Sequence, residues 1–317
     1  MDSTALASLQ QCLDQALATP PAEARRLLHG RGRLWPGLEQ VTVDWLEGLI
    51  QVTLFKPLPD GAHDRLLSLL QGLVASPRWA ASGAQGLLLQ ERYLEGSPAL
   101  WLAGEHSGPR RIHEDGLVYL IEPGRAQNSG LFLDMRQGRR WVREHAAGKQ
   151  VLNLFAYTCA FSVTAIAGGA SAVVNLDMAS PALARGRDNH RANGHDLAQV
   201  AFLPHDLFKS WAKVGRHGPY DLIIMDPPSF QRGSFVLSRD YPKVLRKLER
   251  LLTPGGQVLA CLNDPALPEA FLRDAMAREA PSLAFIERLA NPAEFADADP
   301  QAGLKVLLFQ HRAVSVQ

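Results

Sequence analysis

The apolar residues of this chain fall into two textures that change near residue 150. A weak helical spacing covers residues 6–28 and is interrupted by Pro20 and Pro21. Val41–Trp45 and residues 49–55 follow as two runs rich in β-branched and aromatic residues. The break between them contains Gly48, which predicts a hairpin. Residues 63–74 place leucines at helical spacing, and residues 87–89 and Leu117–Ile121 predict further strands, giving a small α+β unit. Beyond Gln150, short apolar runs alternate with helical stretches in the rhythm of stacked βαβ units. Strands are expected over 151–155, 172–176, 200–203, Tyr220–Met225, 258–262, Leu283–Leu289 and 304–310. Helices are expected over 161–167, 181–193, after Asp206, 242–252 and 268–279. Ser180 is the expected N-cap of the second helix, and Pro181 its first residue. This predicts an open, mostly parallel, seven-stranded α/β sheet over 125–317, preceded by the small α+β domain over 1–124.

Composition narrows the class without naming it. The chain has 317 residues, 46% hydrophobic and 21% charged, which excludes disorder and allows two domains with cores of their own. No apolar run is long enough to cross a bilayer, so no membrane association is expected. The first twenty residues show neither a basic start nor an apolar h-region, so no secretory leader is expected. Cys12, Cys159 and Cys261 are odd in number and far apart; they suit a reducing cytoplasm and predict neither a disulfide framework nor a metal site. Net charge is +1, but basic residues cluster at Arg125, Arg136, Arg139, Arg140, Arg143 and Lys149, and again at Arg185, Arg187 and Arg191. Such clusters fit either a phosphate-contacting face or ordinary solvated helix faces.

In open α/β sheets, ligands bind outside the carboxyl ends of the strands. Four of those places carry unusual residues. Asn153-Leu-Phe155-Ala-Tyr157-Thr158-Cys159 follows the first strand and is not the G-x-G-x-x-G of a dinucleotide site, which argues against a nicotinamide dehydrogenase. Asp177 follows the second strand, where a carboxylate can accept from a ribose diol. Asp206 follows the third, where it can accept from an adenine amine or cap the next helix. Asp226-Pro227-Pro228-Ser229-Phe230 follows the fourth. Its prolines stiffen the turn and remove two donors, and an aromatic ring follows on which a flat group can stack.

Together these residues resemble the class I S-adenosylmethionine-dependent methyltransferases, a Rossmann-like fold. More narrowly, they resemble the bacterial enzymes that make 5-methylcytosine or 7-methylguanine in 23S ribosomal RNA. The stretch Asn128-Ser-Gly-Leu-Phe132-Leu-Asp134-Met-Arg136 is similar to the family's segment before the catalytic domain, and Leu27-Leu28-His29 with Leu34-Trp35-Pro36-Gly37-Leu38 to the start of its small domain. The resemblance implies S-adenosylmethionine as cofactor. Phe132, Asp134 and Arg136 would close over its methionine end, and Asn153, Phe155, Tyr157 and Thr158 would line the wall. Asp177 with Met178 would hold the ribose, Asp206 with Leu207 the adenine, and Asp226 with Pro227 the junction with the acceptor. The implied partner is RNA of the large subunit, met by Arg110, Arg111, Arg139, Arg140, Arg187 and Arg191, with the protein a monomer or homodimer. The family has glycine where Cys159 stands, and a side chain there is costly if φ is positive.

Methylating C5 of cytosine requires a thiolate to add at C6 first. The family's nucleophilic cysteine position falls on Asn263, while Cys261 lies two residues earlier, inside the strand. Guanine N7 already offers an in-plane lone pair, so the expectation is direct transfer to a base nitrogen. Asn263, Ser229 and Phe230 would orient and stack the base beside Asp226 and Pro227. Another acceptor, or a non-catalytic RNA-binding module of the same fold, stays open at this point.

Overall fold

The computed structural model describes residues 1–228, 230–231 and 235–312, with Phe230 and Gln231 described in backbone only. The chain forms two compact units: Met1–Leu133 with Pro292–Pro300, and Asp134–Asn291 with the chain from Gln301 onward. The division therefore falls later than Gly124.

In the first unit, α1 (Ser3–Ala18) is capped by Asp2, whose carboxylate accepts from Ala5 N. The helix ends before Pro20-Pro21, and Arg25–His29 forms strand β1 instead of continuing it. The helical expectation over 6–28 is thus corrected at its C-terminal end: beyond the prolines, β1 pairs with β2 (Val41–Trp45), and sheet pairing overrides the weak helical spacing. The hairpin from β2 to β3 (Leu49–Leu54) turns at Glu47 and Gly48, both at positive φ. Helices α2 (Ala62–Val74) and α3 (Pro77–Ser82) lead to β4 (Gly86–Glu91), parallel to β3, and β5 (Ala99–Ala103) closes a five-stranded sheet. β6 (Arg110–Glu114) and β7 (Leu117–Ile121) form a separate ladder. Leu9, Leu13, Val43, Ile50, Leu66, Leu70 and Leu87 belong to this unit's core.

The second unit opens with α4 (Arg136–His145), β8 (Gln150–Leu154), α5 (Ala160–Ala167), β9 (Ala172–Asp177), α6 (Ser180–Ala192) and β10 (Val200–Pro204). α7 (Trp211–Arg216), β11 (Tyr220–Met225), the short ladder of β12 (Phe230–Gln231) and β13 (Phe235–Val236), and α8 (Leu237–Leu248) follow. β14 (Leu252–Leu262), α9 (Glu269–Glu279), β15 (Leu283–Leu289) and β16 (Lys305–His311) complete it. The seven-stranded sheet has the order β10-β9-β8-β11-β14-β16-β15, with β16 antiparallel to both neighbours. Alternation along the strands sends Val151, Val173, Leu222 and Leu259 toward α4 and α5, and Leu152, Val174, Ile223 and Val258 to the core formed with α8 and α9.

Two local expectations are corrected. The N-cap of α6 is Ala179 and not Ser180, with no side-chain cap; Asp177 accepts from Ala179 N at 2.8 Å in the turn that leads into the helix. α8 starts at Leu237 and carries Pro242 inside, because Asp240 accepts from Val236 N at 2.9 Å and fixes the start upstream of the proline.

Candidate active site

The register brings the unusual residues to one edge. Leu154 pairs with Leu176 and Met225, Asp177 with Pro204, and Met225 with Ala260. Residues 155–159, Asp177, Asp206, Asp226 and Asn263 therefore all leave the sheet at the carboxyl ends of adjacent parallel strands.

The first loop is backbone-strained. Phe155, Tyr157 and Cys159 all have positive φ, at 57°, 47° and 60°, without a glycine among them. Left-handed non-glycine residues persist only where their surroundings hold them, and they gather at functional sites. Here the hold is visible. Asp177 accepts from Tyr157 N at 2.9 Å, and Asn189 of α6 donates to the Thr158 carbonyl at 2.9 Å. The Cys159 side chain is fully buried against α6, where a Cβ on Gly186 would lie 2.3 Å from its Sγ. Burial, with Asp177 adding to it and Arg187 opposing, pushes that thiol well up. The Cys159 side chain thus packs under the loop.

Asp177 uses one carboxylate oxygen on Tyr157 N and the other on Ala179 N, which orients both for further acceptance. Met178 beside it is 48% exposed, a large apolar face at the tip of β9. Asp206 caps the short turn Leu207–Lys209 by accepting from Phe208 N at 2.9 Å, the capping role considered for it, and Lys209 Nζ stands 3.8 Å away. Leu207 is buried in the core, so only its backbone faces the edge. Asn153 is also inside. Its amide donates to Asn175, which donates in turn to Ser162 Oγ, and Ser162 meets His190 Nε2, each at 2.9 Å. This buried chain fixes α5 and α6 beneath the loop and holds His190 neutral: burial and then His195 bring its pKa down to about 3. Asn153 therefore supports the wall expected of it from below.

Asp226 directly follows β11 and is itself followed by the buried Pro227. Burial first, then the charge of Asp134, raises its pKa to about 7, with Arg139 opposing. The two carboxylates are close enough to repel, and a cation beside them would relieve that repulsion. Arg139 is only 2% exposed, so its expected role toward phosphate is corrected: inside the protein it balances Asp226. Among the other members of the basic run, Arg125 pairs with Glu122, Lys149 bonds Gln257, and Arg140 of α4 is exposed. Arg187 lies over Phe202 at 4.7 Å, and Arg191 pairs with Asp188. Arg111 is exposed, while Arg110 is half-buried within bonding reach of the Glu47 carbonyl and Gln85. Phe132 is exposed and belongs to the first unit.

Ser229 lies outside the described residues. Phe230 pairs in backbone with Val236, which returns the chain so that Phe235 packs edge-on against Phe155 at 5.1 Å. Asn263 is exposed immediately beyond β14. Sequence reasoning missed its support: Lys305, fully buried, donates to the neighbouring Asp264 carbonyl at 2.7 Å. A lysine beginning an otherwise apolar strand was the available signal. Cys261 is fully buried, its thiol pushed well up by burial and by Asp226 and Asp134, and its carbonyl accepts from Tyr241 Oη at 2.8 Å.

A parallel sheet of this order, with carboxylates after its second, third and fourth strands, defines an α/β enzyme of the class that binds a nucleoside-bearing cofactor. Comparison makes this particular. The S-adenosylmethionine-dependent methyltransferase family matches over residues 25–310, and the chain belongs to it. Ribosomal RNA large subunit methyltransferase K/L of Hahella chejuensis is 32% identical over 236 residues, 70% of this chain and 32% of that protein. Ribosomal RNA large subunit methyltransferase I of Photobacterium profundum is 30% identical over 269 residues, 81% of this chain and 67% of that protein. Among solved structures, a protein of Streptococcus mutans assigned as a SAM-dependent methyltransferase superposes with a TM-score of 0.83 at 26% identity, covering 96% of this chain and 80% of that one. Another, assigned as a methyltransferase and complexed with SAH, gives 0.82 at the same identity and coverage.

The family's cofactor is S-adenosylmethionine, and the strand tips fit it. They hold an oriented acceptor for a diol at Asp177 and an exposed thioether at Met178, and Asp226 forms with Asp134, from the turn before α4, a carboxylate pair that a sulfonium would relieve.

Proposed function

We propose that the chain methylates RNA of the large ribosomal subunit in the cytoplasm, at a base nitrogen of guanine N7 character, directly and without a cysteine adduct. The observation that carries the absence of an adduct is the placement of the thiols. Cys159 and Cys261 are fully buried with raised pKa values, burial raises that of Cys12 to about 11, and Asn263 occupies the exposed position beyond β14. The large-subunit RNA acceptor rests on the names of the relatives, and this chain spans only 32% of the first of them.

S-adenosylmethionine supplies an activated methyl on a positively charged sulfur. Asp177 would take the ribose, Asp206 and the Leu207 backbone the adenine, and the 155–159 loop the wall. Asp134 and Arg136, with Phe132, would meet the methionine end. Asp226 then faces the reacting centre. Methylation of a neutral ring nitrogen leaves the ring cationic, and an ionised carboxylate lowers the energy of that developing charge. No proton need be removed from N7, so alignment and exclusion of water are the chain's main contributions, with Pro227 stiffening the turn and Ser229, Phe230 and Asn263 orienting the base. The base must leave its stack to reach the strand tips, which costs a few kcal/mol. Docking of the RNA would fall partly to the first unit.

Nucleoside mass spectrometry of large-subunit RNA from a strain lacking the gene tests this. Loss of one 7-methylguanosine is expected, restored by the wild-type gene and not by Asp226→Ala, whose purified product still binds S-adenosylmethionine. Loss of 5-methylcytidine instead, or full restoration by Asp226→Ala, overturns the reading.

A further inference from the structure

One edge of the five-stranded sheet in the first unit gathers cations around a single aromatic ring. β3 and β4 run parallel with Leu54 opposite Glu91, and Arg92 N donates to the Leu54 carbonyl at 2.8 Å, so Phe55 and Arg92 leave the sheet side by side. β2 begins at the same edge, with Val41 opposite Leu54, and the end of β1 faces it through His29 and Thr42. The turn that follows β1 carries Arg31. As a result the guanidinium carbons of Arg31 and Arg92 lie 4.3 Å and 5.0 Å from the centre of the Phe55 ring. Arg92 is further held by Asn128 at 3.2 Å. Lys56 follows Phe55, exposed and without an ion-pair partner among the described residues. Arg33, also exposed, is paired with Asp297 at 2.9 Å. The excess of positive charge is felt locally: burial, then Arg26 and Arg31, lowers the pKa of His29 to about 4 against the opposing Asp297.

Stacking on a ring fixes the plane of a guanidinium group while its N–H edge still points outward, so less freedom is lost when it grips a phosphate. A ring and guanidinium planes also form a platform on which an unpaired base can stack, a combination that a peptide carboxylate would leave unused. None of these residues carries a part of the reaction.

We infer that this edge, with Arg31, Phe55, Lys56 and Arg92, is a docking surface for single-stranded or looped RNA, taking phosphate on Arg31 and Lys56. The inference rests on the RNA reading above and adds to it where on the first unit the RNA backbone is held. Arg31 and Lys56 are exposed, so reversing their charge leaves the core intact.

The test measures binding of protein-free large-subunit RNA over a range of salt concentrations, together with methylation rates, for wild type, R31E/K56E and, as control, K247E on α8. For the double variant, affinity is expected to fall by about tenfold or more, and the slope of log Kd against log salt to flatten by about one to two. The KM for RNA rises accordingly, while kcat at saturating RNA, affinity for S-adenosylmethionine and the K247E control stay unchanged. A double variant that binds with wild-type affinity and slope overturns the surface alone. A wild-type protein that neither binds nor methylates the RNA overturns the RNA reading, and the surface with it.

Discussion

Asp226 is ionised with difficulty in this fold, and that difficulty can be measured. Its folded pKa, about 7, lies above the ordinary 3.8 of an unfolded chain. As pH rises, the unfolded state releases its proton first, so the carboxyl contributes no penalty below about pH 4, costs increasing stability up to about 7, and the full amount above. The residue is half-buried, and screening reduces the cost to about 1–2 kcal/mol. Asp226→Asn keeps the shape and removes the charge. At pH 8 the variant is expected to melt a few degrees above wild type, at 2–4 °C per kcal/mol for a chain of this size. The gap closes as pH falls toward 4, and methylation is lost throughout. Scanning calorimetry at pH 4.5 and 8 checks this; equal melting of the two proteins at pH 8 would show that the fold does not strain the carboxyl. In the wild type, the ionised fraction, and with it the rate, should climb through about pH 7.

At the scale of elements, the loop after β8 and helix α6 are matched in size. Cys159 holds φ at 60°, which costs a non-glycine residue about 1 kcal/mol, and its side chain fills the space that Gly186 leaves open. Gly186→Ala should therefore destabilise by about 1–3 kcal/mol through overpacking and weaken cofactor binding by displacing the loop. Cys159→Gly in the same chain removes the clashing atoms and the backbone cost, so the double variant should recover most of the loss. A double-mutant cycle followed by thermal denaturation and calorimetric titration reads the coupling; additive effects would mean that the two positions do not share space. This complementarity was not legible in the sequence, where Cys159 reads only as a departure from glycine, because its compensation sits on another element. The strands fared better. Val41–Trp45, Tyr220–Met225 and Leu283–Leu289 coincide with their expected bounds, since each is a run of strand-forming residues bounded by turn signals. β1, β6 and α3 escaped because they are short and mixed in polarity, and β5, apolar throughout, because it is only five residues long without alternation; their partners make them regular. The order of the site residues along the strand tips was legible. The burial of Asn153, Leu207 and Arg139 was not, because it depends on which neighbours cover them.

At the scale of the molecule, the two units are not consecutive in sequence. Pro292–Pro300 leaves the large sheet between β15 and β16 and belongs to the first unit. There Phe295, 8% exposed, packs with His29 at 5.2 Å and under the guanidinium of Arg26 at 4.6 Å. Glu294 pairs with Arg25 and Asp297 with Arg33, contacts at the surface that contribute little by themselves. The tighter constraint is Gly32. Its carbonyl accepts from Ala298 N at 2.8 Å, and a Cβ on it would stand 2.1 Å from the Ala296 carbonyl oxygen. That atom is backbone, so a methyl group cannot be absorbed by rotating a side chain, and the segment must lift. Gly32→Ala is therefore expected to free Phe295 while leaving the sheet of the second unit assembled, since β16 keeps its ladders to β14 and β15. Limited chymotrypsin digestion of the full chain should then cut at Phe295 well before wild type, by the ratio that a loss of roughly 2 kcal/mol in local stability gives, about thirtyfold. Equal cleavage of the two proteins would mean that the salt bridges and ring contacts hold the segment without the close backbone approach.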